Sequence, residues 1–193
     1  MNIDVIKNCF PSNLEEDVKV VFQALDFKSK HEPYMPFDVL VENENLVIPQ
    51  RIYCEANQLK KLIKLTPIQQ AIGFCFFSRH HDGYVRERCI RQVLKVNEKF
   101  VLPFIIQLLG EYVLEIIECI YNERESLDKS LLTSFIKDNP EHFHRIHQRV
   151  YSYWDCFYRA AYPKYRKNIK PVGCTVFDYP GIKLLKYFNG AVA

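Results

Sequence analysis

Glycine-rich phosphate loops are missing from this chain. Its six glycines are scattered, and neither G-x-G-x-x-G nor G-x-x-x-x-G-K-[ST] occurs. Without either, the backbone has no cradle for a dinucleotide or a nucleoside triphosphate. The nucleophile elbow G-x-S-x-G is absent too, and no cysteine stands beside a plausible base. No nucleophilic catalytic set can be assembled from these residues. No motif implies a cofactor, and no residue is nominated as catalytic.

Cysteine spacing excludes more. Cys9, Cys54, Cys75, Cys89, Cys119, Cys156 and Cys174 are odd in number and never form C-x-x-C. That pattern fits neither a disulfide framework nor a cysteine zinc site. Cys75, Cys89 and Cys119 fall in apolar helical runs, where cysteine behaves as a small hydrophobe. Met1 to Phe10 contains Asp4 and Lys7 and no long apolar run, so no secretory leader is expected. A reducing, cytoplasmic setting follows. The net charge of +3 is too small to imply nucleic acid by itself. No low-complexity run or linker divides the chain, and 193 residues suit one domain over residues 1–193.

What is present is helical periodicity. Ser12-Asn13-Leu14-Glu15 reads as a capping box opening a helix to about Leu25, with Val18, Val21, Phe22 and Leu25 inside. Phe37 to Val41 alternates as a strand. Glu42 to Asn45 is a polar turn, and Leu46 to Ile48 with Arg51 to Tyr53 returns as a second arm. Pro49 places that arm at a sheet edge or breaks it. A short helix over Ala56 to Lys64 completes an N-terminal region of residues 1–64. Thr66-Pro67-Ile68-Gln69 combines a cap, a proline at the first helical position and a capping box. It opens the helical core, residues 66–161. Ile68, Ile72, Cys75 and Phe76 form one inner face, and Val85, Cys89, Ile90, Val93 and Leu94 form the next.

Asp82-Gly83-Tyr84-Val85-Arg86, followed by Cys89, Ile90 and Leu94, resembles the second half of a HEAT repeat. In that family an aspartate in the inter-helix turn precedes a Val-Arg pair, a small residue and a leucine-type residue. The resemblance covers about residues 66–95, and no second copy recurs at the period an array requires. Through Ile48-Pro49-Gln50-Arg51-Ile52-Tyr53, Arg79-His80-His81-Asp82-Gly83 and Tyr153-Trp154-Asp155-Cys156 the chain also resembles uncharacterised bacterial helical proteins of similar length, a resemblance that implies no activity. The expected fold is mainly α: a compact multi-helix domain with a HEAT-like helical hairpin and a small N-terminal β-hairpin.

The periodicity predicts a third helix from Leu102 to Asn122, apolar except for Gln107, Glu111, Glu115 and Glu118. Three carboxylates on one stripe argue against a membrane span. The stripe is expected to pair with Arg86 or Arg91, or to face a basic partner. Leu127 to Lys137 reads as a short helix, with Leu131, Leu132 and Phe135 inside. Asp138 or Asn139 then caps a long helix from Pro140 to about Ala161. Residues 162–193 read as irregular, with Val172 to Phe177 a strand candidate and Tyr179-Pro180-Gly181 a turn.

Three clusters could carry chemistry. His80-His81-Asp82 resembles the metal-binding dyad of HD phosphohydrolases, in which a metal activates water and clamps a phosphoryl oxygen. That resemblance implies His31, His81 and Asp82 as ligands, with one of Asp128, Asp138 or Asp155. In that family the dyad sits on a helix, whereas here Gly83 follows in a turn. His142, His144 and His147 form a second cluster, of which His144 and His147 share a helix face. Tyr151 to Tyr165 interleaves Tyr151, Tyr153, Trp154, Phe157, Tyr158, Tyr162 and Tyr165 with Arg159, Lys164, Arg166 and Lys167. That pattern serves either a core face with a solvated edge or a binding surface. The absence of a complete catalytic set favours a non-enzymatic protein-interaction module, with a bacterial inhibitor or immunity-type role inside that class. Arg79, His80, Arg86, Arg91, Glu111, Glu115, Trp154 and Arg159 are its candidate binding residues. One protein partner is expected, with neither nucleic acid nor membrane. The alternative is a metal-dependent phosphohydrolase using His81 and Asp82.

Overall fold

The computed structural model describes residues 3–25, 34–159 and 175–192. It is mainly helical, with one two-stranded antiparallel hairpin among the described residues. The chain divides into two compact units, Met1–Ile105 and Ile106–Ala193.

The first unit opens with α1 (Ile3–Lys7) and α2 (Glu15–Ala24). A 3-10 turn, Ser12–Leu14, precedes α2 where a capping box was expected. The reason is tertiary. Ser12 donates its amide and hydroxyl to Glu44, at 2.9 and 2.8 Å, while Glu15 turns to Lys7 at 2.8 Å. Val18, Val21 and Leu25 are buried as their spacing requires, and Phe22 is half-buried.

Strands β1 (Tyr34–Val41) and β2 (Glu44–Arg51) pair with Val41 opposite Glu44. The turn is therefore only Glu42 and Asn43, with φ of 53° and 67°. Positive φ at both positions gives the right-handed twist that a two-residue hairpin needs. Pro49 does not break β2, because a two-stranded sheet has only edges. The Val47 amide donates to the Asn8 carbonyl at 2.8 Å, docking the hairpin on the end of α1.

A 3-10 helix over Ala56–Lys64 buries Leu59 and Leu62 and leads to α3 (Pro67–Phe77). The capping box at Thr66 forms as read, with reciprocal bonds to Gln69. α4 (Gly83–Val93) packs on α3 as a helical hairpin, burying Val85, Cys89, Ile90 and Val93. α5 (Leu102–Leu109) is buried along its whole length. Phe104 stacks on Phe10, with ring centres 5.4 Å apart.

The single long helix expected from Leu102 to Asn122 is two. α5 stops at Leu109, and α6 (Leu114–Glu123) begins after a break at Gly110 to Val113. In an unbroken helix the Ile116 amide would donate to the Tyr112 carbonyl. It donates to Val113 instead, and the Tyr158 hydroxyl donates to Tyr112. Gly110 allows the break to lie close to the next long helix: a Cβ there would stand 3.3 Å from the Arg149 Cβ.

α7 (Lys129–Asp138) is capped by Asp128, whose Oδ1 accepts from the Ser130 and Leu131 amides. Leu132, Phe135 and Ile136 are buried and Leu131 half-buried. α8 (Pro140–Tyr153) follows. Neither expected residue caps it through its side chain. Asn139 turns backward, donating from Nδ2 to the Phe135 carbonyl at 2.9 Å, which secures the end of α7. α8 ends at Tyr153, and a turn of π-helix occupies Trp154–Tyr158.

Where irregular chain was expected, Pro180–Val192 forms α9. Pro180 begins a helix instead of sitting in a turn, and Val176–Asp178 is a 3-10 turn and not a strand end. α9 packs on α6, α7 and α8 through Ile182, Leu184, Leu185 and Phe188, all buried. Residues 172–174 of the strand candidate lie outside the described residues, as do Tyr162, Lys164, Tyr165, Arg166 and Lys167.

Candidate functional site

The turn between α3 and α4 is built from the residues that seemed most chemical, and it uses nearly all of them for its own support. Ser78 closes α3, its hydroxyl donating to the Cys75 carbonyl at 2.6 Å. Ile52, just past β2, then clasps the turn. Its amide donates to the Arg79 carbonyl at 2.8 Å, and its carbonyl accepts from the His81 amide at 3.0 Å.

The His80 ring is fixed at both nitrogens. The Asp82 amide donates to Nδ1 at 3.0 Å, so Nδ1 carries no proton. Nε2 therefore carries it and donates to the Cys54 carbonyl at 2.8 Å. Burial pushes the His80 pKa below its ordinary value, and the bond to Cys54 opposes that shift only in part. His81 faces solvent, its ring 5.1 Å from Tyr53 and 4.3 Å from His80.

Asp82 is a helix cap. Its Oδ1 accepts from the Tyr84 amide at 2.9 Å, where the open N-terminus of α4 favours a carboxylate. One turn on, the Arg86 guanidinium donates from Nη1 to the carbonyls of His80 and His81, at 2.9 and 2.8 Å. A single arginine thus satisfies two carbonyls of the turn that no helix can reach.

These positions bear directly on the candidate binding residues. Arg79 and Arg86 are 0% exposed, and His80 and Glu111 are also buried. A side chain without accessible surface cannot meet a partner in this conformation, so these four leave the surface set. The acidic stripe is divided as well: Glu111 lies in the break before α6, Glu115 on it is exposed, and Glu118 is half-buried. Arg91 is exposed and pairs with Glu87 at 2.7 Å, one helical turn away.

Of His31, His81 and Asp82 in the metal reading, only His81 and Asp82 are among the described residues. His31 lies outside them, and no group of three or more His, Cys, Asp or Glu is placed to hold an ion. The second histidine cluster does not converge. His142 is buried edge-on against Phe135, His144 contacts Gln148 at 3.0 Å, and His147 stacks on Tyr151. Burial raises the thiol pKa of Cys9, Cys75 and Cys89, and that of half-buried Cys54 is pushed up to about 12, which disfavours the reactive thiolate.

The third cluster does open to solvent. Tyr112, in the break before α6, meets Tyr153 and Phe157 at 6.2 and 6.1 Å between ring centres, and those two rings are 5.9 Å apart. Tyr112 and Phe157 are each 49% exposed, and Tyr151 is exposed beside them in sequence. Trp154 is half-buried, with Arg159 5.5 Å from its ring, and Arg149 lies 5.7 Å from Tyr153. Arg159 also pairs with Asp155. Trp154 and Arg159 were legible as candidates from sequence. Tyr112 was missed because its place was assigned to an unbroken helix, although Gly110 inside an apolar helical run marks such a break.

Among the described residues no helix is long and apolar enough to cross a membrane. No protein-family model, curated protein or solved structure matches the chain.

Proposed function

We propose that this protein is a non-enzymatic protein-interaction module acting in a reducing, cytoplasmic setting. The observation that carries this reading is the aromatic surface of Tyr112, Tyr153, Trp154 and Phe157. Tyrosine and tryptophan with flanking arginine are the residue types that concentrate binding energy in protein interfaces. The rings of Tyr112, Tyr153 and Phe157 pack against one another, so little of their side-chain entropy remains to be lost on binding. The π-helical turn beneath supports the reading too, since such turns are rare and recur at functional sites. The HEAT-like resemblance of residues 66–95 is compatible with it, and an inhibitor or immunity-type role falls within the class.

The test is a pull-down from native lysate with the full chain and with a Tyr112→Ser/Phe157→Ser variant of matched thermal stability. A stoichiometric protein held by the parent chain and lost from the variant is the expected result. Recovery of the bare chain in both cases, or equal retention by both, would remove this surface as the binding site.

A further inference from the structure

A different face of the second unit, where α9 meets α6 and α7, alternates cations with aromatic rings. The Lys129 Nζ lies 5.3 Å from the centre of the Tyr187 ring. The Arg124 guanidinium lies 5.9 Å from the same ring and 4.1 Å over Tyr121. The Lys183 Nζ is 5.8 Å from Tyr121, and the Lys186 Nζ is 4.1 Å from the exposed ring of Phe177. Lys183, Lys186 and Tyr187 share one side of α9, three and four residues apart.

Negative charge on this strip is scarce. Glu125 alone serves Arg124 at 3.5 Å, Lys129 at 3.7 Å and the Tyr187 hydroxyl at 3.2 Å. Asp178 is occupied by the amide and hydroxyl of Thr175, at 2.8 and 3.0 Å. Lys183 and Lys186 make no close ion pair among the described residues, although the Asp178 carboxyl, its pKa held below the ordinary value by the Thr175 bonds, is also favoured by the Lys183 charge. Four cations therefore stand beside two carboxylates already in use.

We propose that this cation–aromatic strip is a second docking site, fitted to an acidic protein segment. Carboxylates spaced along a peptide can reach Lys183 with Lys186, and Arg124 with Lys129. Opposite charge at such a face steers encounter and sets register. A nucleic-acid strand fits less well. The ring faces on which bases would stack are covered by the cations, and Glu125 and Asp178 would repel a continuous phosphate chain. The strip shares no residue with the aromatic surface of Tyr112 and Phe157, so variants can remove either site by itself.

The experiment is fluorescence anisotropy of the full chain with a labelled peptide of repeating Glu-Leu-Asp-Glu units. Binding is expected, weakening with added salt and falling about tenfold or more in Lys183→Glu/Lys186→Glu. Lys183→Gln/Lys186→Gln, with unchanged thermal stability, is expected to fall in the same direction. Tyr112→Ser/Phe157→Ser is expected to bind as the parent chain does. No binding by the parent chain, or binding by both lysine variants equal to the parent's, overturns the proposal. So does displacement of the peptide by oligo(dT) at a lower concentration than by unlabelled peptide, which would assign the strip to nucleic acid.

Discussion

Leu62 occupies the space that a side chain at Gly73 would need. A Cβ at Gly73 would stand 2.4 Å from one Leu62 methyl and 2.8 Å from the other, and Leu62 is itself fully buried. Close approach of the 3-10 helix to α3 thus depends on one missing methyl group.

The first prediction concerns that pair. Gly73→Ala forces Leu62 to move inside a packed core, an overpacking cost of about 1–3 kcal/mol. The better helix propensity of alanine offsets about 1 kcal/mol of it. Leu62→Ala alone opens a cavity worth about 2–5 kcal/mol. The double variant is expected to lose less than the sum, because the added methyl partly fills the cavity. Urea denaturation of the four proteins measures the coupling, and strict additivity would show that the two residues do not compete for one space.

Asp82 supplies the second. Asp82→Ala removes the cap of α4 and is expected to cost about 0.5–2 kcal/mol, while Asp82→Ser restores most of the loss. Denaturation midpoints of the three proteins decide it. Equal stability of the alanine variant would contradict a capping role.

Elemental analysis of protein purified without a histidine tag gives the third. With one Asp82 oxygen on the Tyr84 amide and no converging ligands among the described residues, no stoichiometric transition metal is expected. One equivalent of metal that disappears in Asp82→Ala would revive the phosphohydrolase reading with His81.

His80 makes stability depend on pH. Its folded pKa lies below the ordinary value of 6.5. Between those two values the unfolded chain binds the extra proton and the native chain does not. Stability therefore rises with pH through that window, is fully present above about pH 6.5, and falls as the solution is acidified. His80→Gln is expected to flatten the part of the stability–pH curve below about pH 6.5 that this residue contributes. An unchanged slope would mean that other groups account for the acid loss.

The last prediction lies in the hairpin turn. Glu42 holds φ of 53°, where a side chain costs about 1–2 kcal/mol unless it is asparagine, aspartate or glycine. Glu42→Asn keeps a polar, exposed residue and is expected to stabilise the fold by about 0.5–1 kcal/mol, read as an upward shift in thermal midpoint. A lower midpoint would show that the glutamate side chain contributes more than its backbone costs.

Local signals were sufficient wherever one segment decided the outcome. Thr66 and Gln69 close a capping box, Asp82 begins α4, and the inner faces of α3 and α4 bury the residues that helical spacing selects. Such features arise from side chains within four residues of the backbone they serve, so the order of residues along the chain contains them.

Tertiary structure decided the rest. Ser12 abandoned its local capping box for Glu44, thirty-two residues away. The helix predicted through Tyr112 broke where the Tyr158 hydroxyl, forty-six residues on, took the Tyr112 carbonyl. α9 formed from a segment whose Pro-Gly pair reads as a turn, because α6, α7 and α8 offered a surface for Ile182, Leu185 and Phe188. The identity of the exposed residues depended on the same distant choices. Arg79, His80, Arg86 and Glu111 are polar by composition yet buried by packing, while Tyr112 and Phe157 are apolar by composition yet half open to solvent. Periodicity tells which side of one helix is apolar. Only the meeting of helices tells which apolar surface has a neighbour and which is left open to solvent.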